Sequence, residues 1–121
     1  MPAHLEPGPD HPIAITPSSK RWRVKWNGRV IAESSRVLDL KEASYPVVRY
    51  FPREDADMTF FTRTDRATHC PYKGDAAYFS LTDGPASAPN AVWTYETPFP
   101  AMAAIAGHLA FYPDKGTIEQ V

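Results

Sequence analysis

The chain has 121 residues, enough to bury one hydrophobic core but not two. Thirteen basic residues against fourteen acidic ones leave a formal net charge of −1, so no field gathers nucleic acid or an anionic membrane, and neither is expected as a partner. A single cysteine excludes an internal disulfide, no apolar run could span a bilayer, and residues 1–20 lack the basic-then-apolar order of a secretory signal; a cytoplasmic location is the expectation.

Residues 1–20 hold five of the thirteen prolines (Pro2, Pro7, Pro9, Pro12 and Pro17) and, among large aliphatic residues, only Leu5, Ile13 and Ile15. Such a composition buries too little to offset its ordering entropy. It reads as a flexible or loosely docked tail ahead of a single β-rich domain over residues 21–121.

From Arg21 the pattern becomes strict alternation, with Trp22, Val24 and Trp26 on one face and Arg23 and Lys25 on the other. Asn27-Gly28 follows, a two-residue hairpin signal because both turn positions need positive φ. That loop predicts Trp26 opposite Arg29, Val24 opposite Ile31 and Trp22 opposite Glu33, with the indole-bearing face turned to the core.

Further short strands are expected over residues 37–40, 47–51, 58–62, 76–81, 92–95, 109–112 and 117–121. Turn residues separate them, including Tyr45-Pro46, Asp83-Gly84-Pro85, Ala88-Pro89-Asn90 and Pro113-Asp114. One short helix is predicted from Pro100 to Ala106, with Pro100 suited to a first turn, Gly107 to the residue after the last, and a stripe of Met102, Ile105, Ala106 and Leu109. Many short strands and one short helix make the fold mainly β, a compact single domain of short antiparallel sheets.

The segment Thr68-His69-Cys70-Pro71-Tyr72-Lys73-Gly74 sets the only cysteine within three residues of a histidine and a lysine, in a turn marked by Pro71 and Gly74. A thiol beside two cations suits thiolate chemistry, and an ammonium facing a concavity suits phosphate or carboxylate binding. The alternative is a small buried hydrophobe at Cys70 and a solvated lysine at Lys73. Trp93 and Tyr95 share a strand face by period two; together with Tyr78 they offer stacking area and hydroxyl groups to a small molecule.

Five stretches then stand in a fixed order: Trp26-Asn27-Gly28, Tyr50-Phe51-Pro52-x-Glu54-Asp55, Thr68-x-Cys70-Pro71-Tyr72-Lys73-Gly74-x-Ala76-x-Tyr78, Ala91-x-Trp93-x-Tyr95-x-x-Pro98 and Ile105-Ala106-Gly107-His108-x-Ala110-Phe111. Together they resemble the domain of unknown function 427 family, a small and mainly bacterial group of soluble proteins. The resemblance implies coiled β-sheets of the β-tent kind, similar to methionine sulfoxide reductase B, and it implies neither a reaction nor a cofactor.

A nucleotidyltransferase label is sometimes attached to that family. Asp55-Ala56-Asp57 has the spacing of a Mg²⁺-holding carboxylate pair, and Glu96 adds another carboxylate, but the phosphate-cradling glycine loop and the G-K-[ST] run are absent. A solvated acidic turn explains Asp55 more simply. His69 and His108 with Cys70 make too few ligands for a structural zinc, and no metal is expected. The catalytic candidates are therefore Cys70, Glu96 and Asp55. The leading expectation is a pocket of Cys70, Tyr72, Lys73, Gly74, Tyr78, Trp93 and Tyr95 that binds a small anionic molecule, with an enzyme or a protein-interaction module as the alternatives.

Overall fold

Segments of alternating residues, stopped by Gly, Pro and Asn, form three antiparallel sheets in the computed structural model, which describes residues 3–121. β1 (Ile13–Pro17), β4 (Leu38–Glu42) and β5 (Val48–Tyr50) make the first, in the order β1-β4-β5. β2 (Trp22–Trp26), β3 (Arg29–Ser34) and β10 (Thr117–Gln120) make the second, in the order β10-β2-β3. The third runs β6-β7-β8-β9, from β6 (Phe61–Cys70), β7 (Gly74–Asp83), β8 (Ala86–Thr94) and β9 (Leu109–Phe111). The protein is thus mainly β, as expected, and no helix among the described residues is long and apolar enough to cross a membrane.

The proline-rich segment departs from the expected tail. Ile13–Pro17 pairs with β4 in the register Ile13↔Glu42 to Pro17↔Leu38, and the Leu5 N–H donates to the Pro71 carbonyl at 2.8 Å. Ile13 and Ile15 alternate onto one side and pack against the core, while Pro17 falls at the strand end where a missing N–H costs little. Two isoleucines with the right period outweigh the proline count.

The Asn27-Gly28 turn forms as read, with φ of 51° and 74°. A bulge between Val24 and Lys25 then shifts the ladder, so Val24 pairs with Ala32 rather than Ile31 and Trp22 with Ser34 rather than Glu33. The shift lets Ile31 and Ala32 both be buried. Ala88-Pro89-Asn90 is no turn but part of β8; Asn90, at φ 51°, is absorbed beside a bulge by the Ser80 and Thr64 side chains. The expected strand at Met58 starts instead as a 3-10 turn capped by Asp57, and β6 begins at Phe61. The helix at Pro100–Ile105 is 3-10 in form, and its three-residue period places Met102 and Ile105 together in the core.

Two apolar clusters result. One, around Val24, Ile31, Val37, Phe51, Leu81 and Val92, is wholly nonpolar. The other combines Leu40, Met102, Ile105 and Ala110 with the tyrosines Tyr50, Tyr78 and Tyr95. Phe51 and Leu109 tie the first sheet to the third by exchanging two backbone hydrogen bonds of 2.8 Å.

Candidate functional site

The turn at residues 71–73 joins β6 to β7, and Gly74 lets it close. Gly74 has a φ of +110°, and a Cβ there would lie 3.4 Å from Phe99 N and Pro98 Cα. The Phe99 N–H donates to the Lys73 carbonyl at 3.0 Å, pressing the turn onto the segment after β8. Lys73 is thereby turned inward and buried. Its Nζ donates to Glu42 Oε1 at 2.5 Å, while His11 Nε2 meets Glu42 Oε2 at 2.7 Å. The His11 ring stacks on Tyr72, centroids 4.0 Å apart and 7° from parallel.

Lys73 is thus paired with a carboxylate that the reading of the residues did not include. Burial pushes the Glu42 carboxyl up, but the hydrogen bonds from Lys73 and His11 outweigh it and leave the group below the ordinary carboxylate range. Glu42 did carry one signal. Alternation puts it on the face of Leu38 and Leu40, where an unpaired carboxylate would be costly.

Beside the pair lies an inner hollow of about 200 Å³, walled by Leu40, Val48, Tyr50, Tyr78, Trp93, Tyr95 and Tyr112. Through Tyr45, Pro46, Val48 and Trp93, which line both, it adjoins an outer hollow of about 700 Å³ that Trp22, Val47, Arg49, Cys70, Phe111, Pro113 and Ile118 complete. The Trp93 indole N–H donates to the Tyr50 hydroxyl at 3.4 Å, and the Trp93 and Tyr112 rings lie 4.5 Å apart. Burial pushes the Tyr50 and Tyr95 phenols well above their usual value, and Tyr112, by burial and its hydrogen bond with Tyr78, up to about 12. These three are neutral hydroxyls at physiological pH.

Of the residues named from sequence, Lys73, Tyr78, Trp93 and Tyr95 line the inner hollow and Cys70 the outer one. Tyr72 and Gly74 do not line it; they hold Lys73 and His11 in place. Among the other lining residues, Tyr50 and Phe111 stood in stretches quoted for the family resemblance, whereas Glu42, Arg49 and Tyr112 did not.

The remaining candidates lie elsewhere. Asp55 accepts from Ser34 Oγ at 2.6 Å and from Arg36 at 3.2 Å, and those bonds, the serine's first, hold it below its usual range. Glu96 is gripped by Arg63 at 2.8 and 3.1 Å and by Arg53 at 3.3 Å, and Arg63 chiefly lowers its pKa. Glu96 borders a hollow of about 310 Å³ with Arg53, Glu54 and His108, and Asp55 is not part of that lining. No group of three or more His, Cys, Asp or Glu side chains among the described residues is placed to hold a metal ion. His69 meets Asp75 at 2.7 Å and the Ala3 carbonyl at 2.6 Å, so both cations near Cys70 in sequence are bonded to other groups.

The family model described as Domain of unknown function (DUF427) matches residues 14–121, which include all of β1 but Ile13 and every residue lining the two hollows. No curated protein matches the chain.

Proposed function

The chain belongs to the DUF427 family, a domain of unknown function, and we propose from its geometry that it binds a small carboxylate-bearing organic molecule in the aromatic cleft. The observation that carries this reading is buried Lys73 with half-buried Glu42 and His11, set at the junction of two aromatic hollows. An ion pair in a low-dielectric site is costly to desolvate, and an apolar wall would be more stable for folding alone. Lys73 has three N–H donors and Glu42 takes one, which leaves donors for a ligand's acceptor. Arg49 adds a second cation, and Trp22, Trp93 and Tyr45 supply planar surface for the ligand body.

A thermal-shift screen of organic acids tests it. An acid at a hundred times its dissociation constant contributes about 2.7 kcal/mol, a midpoint rise of several degrees in a domain of this size. Lys73→Met alone strands Glu42, so the informative variant is Lys73→Met with Glu42→Gln, which removes both charges and most of the strain of removing one. The expected result is a folded double variant with little or no shift. A wild type that no acid stabilises, or a double variant that responds as the wild type does, overturns the reading.

A further inference from the structure

Two buried phenols wall the inner hollow, and neither hydroxyl proton has an acceptor among the described residues. Tyr95 is 6% exposed and Tyr50 1%. The Tyr50 oxygen accepts the Trp93 indole N–H, which leaves its own proton to donate; the Tyr95 hydroxyl makes no hydrogen bond among the described residues. After burial, the groups that act on the Tyr95 phenol are Tyr50, Cys70, Tyr78 and Glu42, and each of them lines the inner or the outer hollow. The hydroxyl end of Tyr95 is therefore the end that meets the hollow. A buried hydroxyl without a partner costs folding free energy, and phenylalanine would fill the same place beside Met102 and Ile105 without that cost. Two such hydroxyls on one hollow call for an acceptor from outside the chain.

Lys73 lines the same hollow, its Nζ 6.0 Å from the centre of the Tyr95 ring, and Glu42 takes only one of its N–H donors. Three donor groups with one positive charge among them match a carboxylate. Because Glu42 offsets Lys73, the site cannot balance a dianion such as a phosphate monoester, and an α-ammonium would stand beside the Lys73 ammonium. The inner hollow, at about 200 Å³, takes a head group, and the outer one, at about 700 Å³, takes the body. Trp22, Trp93, Val47, Phe111 and Ile118 line the outer hollow, so the body that fits there is apolar and favours a ring.

We propose that the ligand of this cleft is an arylalkanoic acid, a monocarboxylate joined to an aromatic body by a short alkyl spacer, whose carboxylate accepts from the Tyr95 and Tyr50 hydroxyls and from Lys73. The proposal rests on the cleft-binding reading above; it names the ligand class and makes the two hydroxyls the groups that select it. Both phenols stay neutral at physiological pH, so both keep the proton they donate.

Calorimetric titration of the full chain with 3-phenylpropionate tests this, beside 3-phenylpropionamide, phenylalanine and hexanoate. The amide, which lacks the charge, and phenylalanine, which adds an ammonium, are each expected to bind about tenfold or more weakly than the acid, and hexanoate about threefold or more weakly. Tyr95→Phe is expected to weaken 3-phenylpropionate about tenfold or more and to leave the melting temperature of the free protein unchanged or raised, because no bond within the chain is lost. A hydroxyl that served the fold would give the opposite pattern, a lower melting temperature with binding intact. That pattern overturns the proposal, as does an amide, phenylalanine or hexanoate that binds as tightly as the acid. If other organic acids bind and 3-phenylpropionate does not, the ligand class is wrong and the cleft reading stands. If no organic acid binds, both fall together.

Discussion

Glu42 and Glu96 are each shared by two cations, yet they belong to different kinds of place. Glu42 takes Lys73 and His11, and the Glu42 and Lys73 side chains are 16% and 10% exposed. Glu96 takes Arg63 and Arg53 and is 37% exposed, with partners of 53% and 36%. The first group is assembled from β4, the turn after β6 and the segment before β1, and it opens onto aromatic walls. The second lies where water screens every pair. Depth, more than the number of charges, separates a site from a solvated cluster.

The largest effect that tests this contrast is at the buried pair. Lys73→Met is expected to cost up to about 3 kcal/mol in urea unfolding, because it leaves the half-buried Glu42 with only a histidine beside it. Glu42→Gln strands the ammonium in the same way. The double variant is expected to recover most of either loss, since both charges are then gone. A double variant no more stable than the singles would mean that packing of the lysine stem, and not charge, sets the cost.

Next comes the glycine that aims the lysine. Gly74→Ala places a Cβ at φ +110°, against Phe99 N and Pro98 Cα, with an expected loss of about 1–3 kcal/mol. Ligand response is expected to fall with it, because the turn holds Lys73 inward. A variant with native stability would show that the 97–99 segment gives way freely.

Much of the scaffold was legible in the sequence, and the reasons are local. The Asn27-Gly28 turn, the Cys70–Gly74 turn and the shared face of Trp93 and Tyr95 follow from φ preference and period two. The misses are nonlocal. β6 reads as polar on both faces over Phe61–Cys70 and takes its pairing from β7. β1 depends on β4, and the bulge at Val24 on what the core must enclose. At the site, Lys73, Tyr78, Trp93 and Tyr95 stood in distinctive stretches, whereas Glu42 and His11 become partners only when β1 aligns with β4. Asp55 and Glu96 were conspicuous as acids, yet each sits within reach of arginines that nothing in the linear order indicates.

The segment before β1 gives a smaller test of the buried group. Removing residues 1–12 deletes His11 from Glu42, the Ala3 carbonyl from His69 and the stack of His4 on Phe99. A fall of a few degrees in melting temperature is expected, where a loose tail would give none. The pH dependence has two opposite arms. Glu42 is lowered on folding, so its contribution is present above the ordinary value of about 4.3 and is lost as pH falls through the folded one. His69 is raised, first by Asp75 and then by Ala3, so its contribution is present below about 6.5 and is lost as pH rises through its folded value. In the truncated chain Glu42 lacks His11, so its folded value lies closer to the ordinary one, and its contribution is expected to be smaller and to be fully lost at a higher pH, as read from melting curves between pH 3 and 8.

The smallest effect belongs to the surface cluster. Glu96→Gln is expected to change unfolding stability by less than about 1 kcal/mol, the range for exposed ion pairs. Raising the salt from 0.15 to 1 M shortens the screening length from about 8 Å to about 3 Å and is expected to erase even that difference. The Lys73–Glu42 pair, largely shielded from water, is expected to keep most of its contribution in the same salt series. The ratio of the two salt responses measures the contrast directly. If Glu96→Gln proved as costly as Glu42→Gln and as insensitive to salt, depth would not be what separates them. The hollow beside Arg53 and His108 would then have to be tested for binding with the same panel of acids.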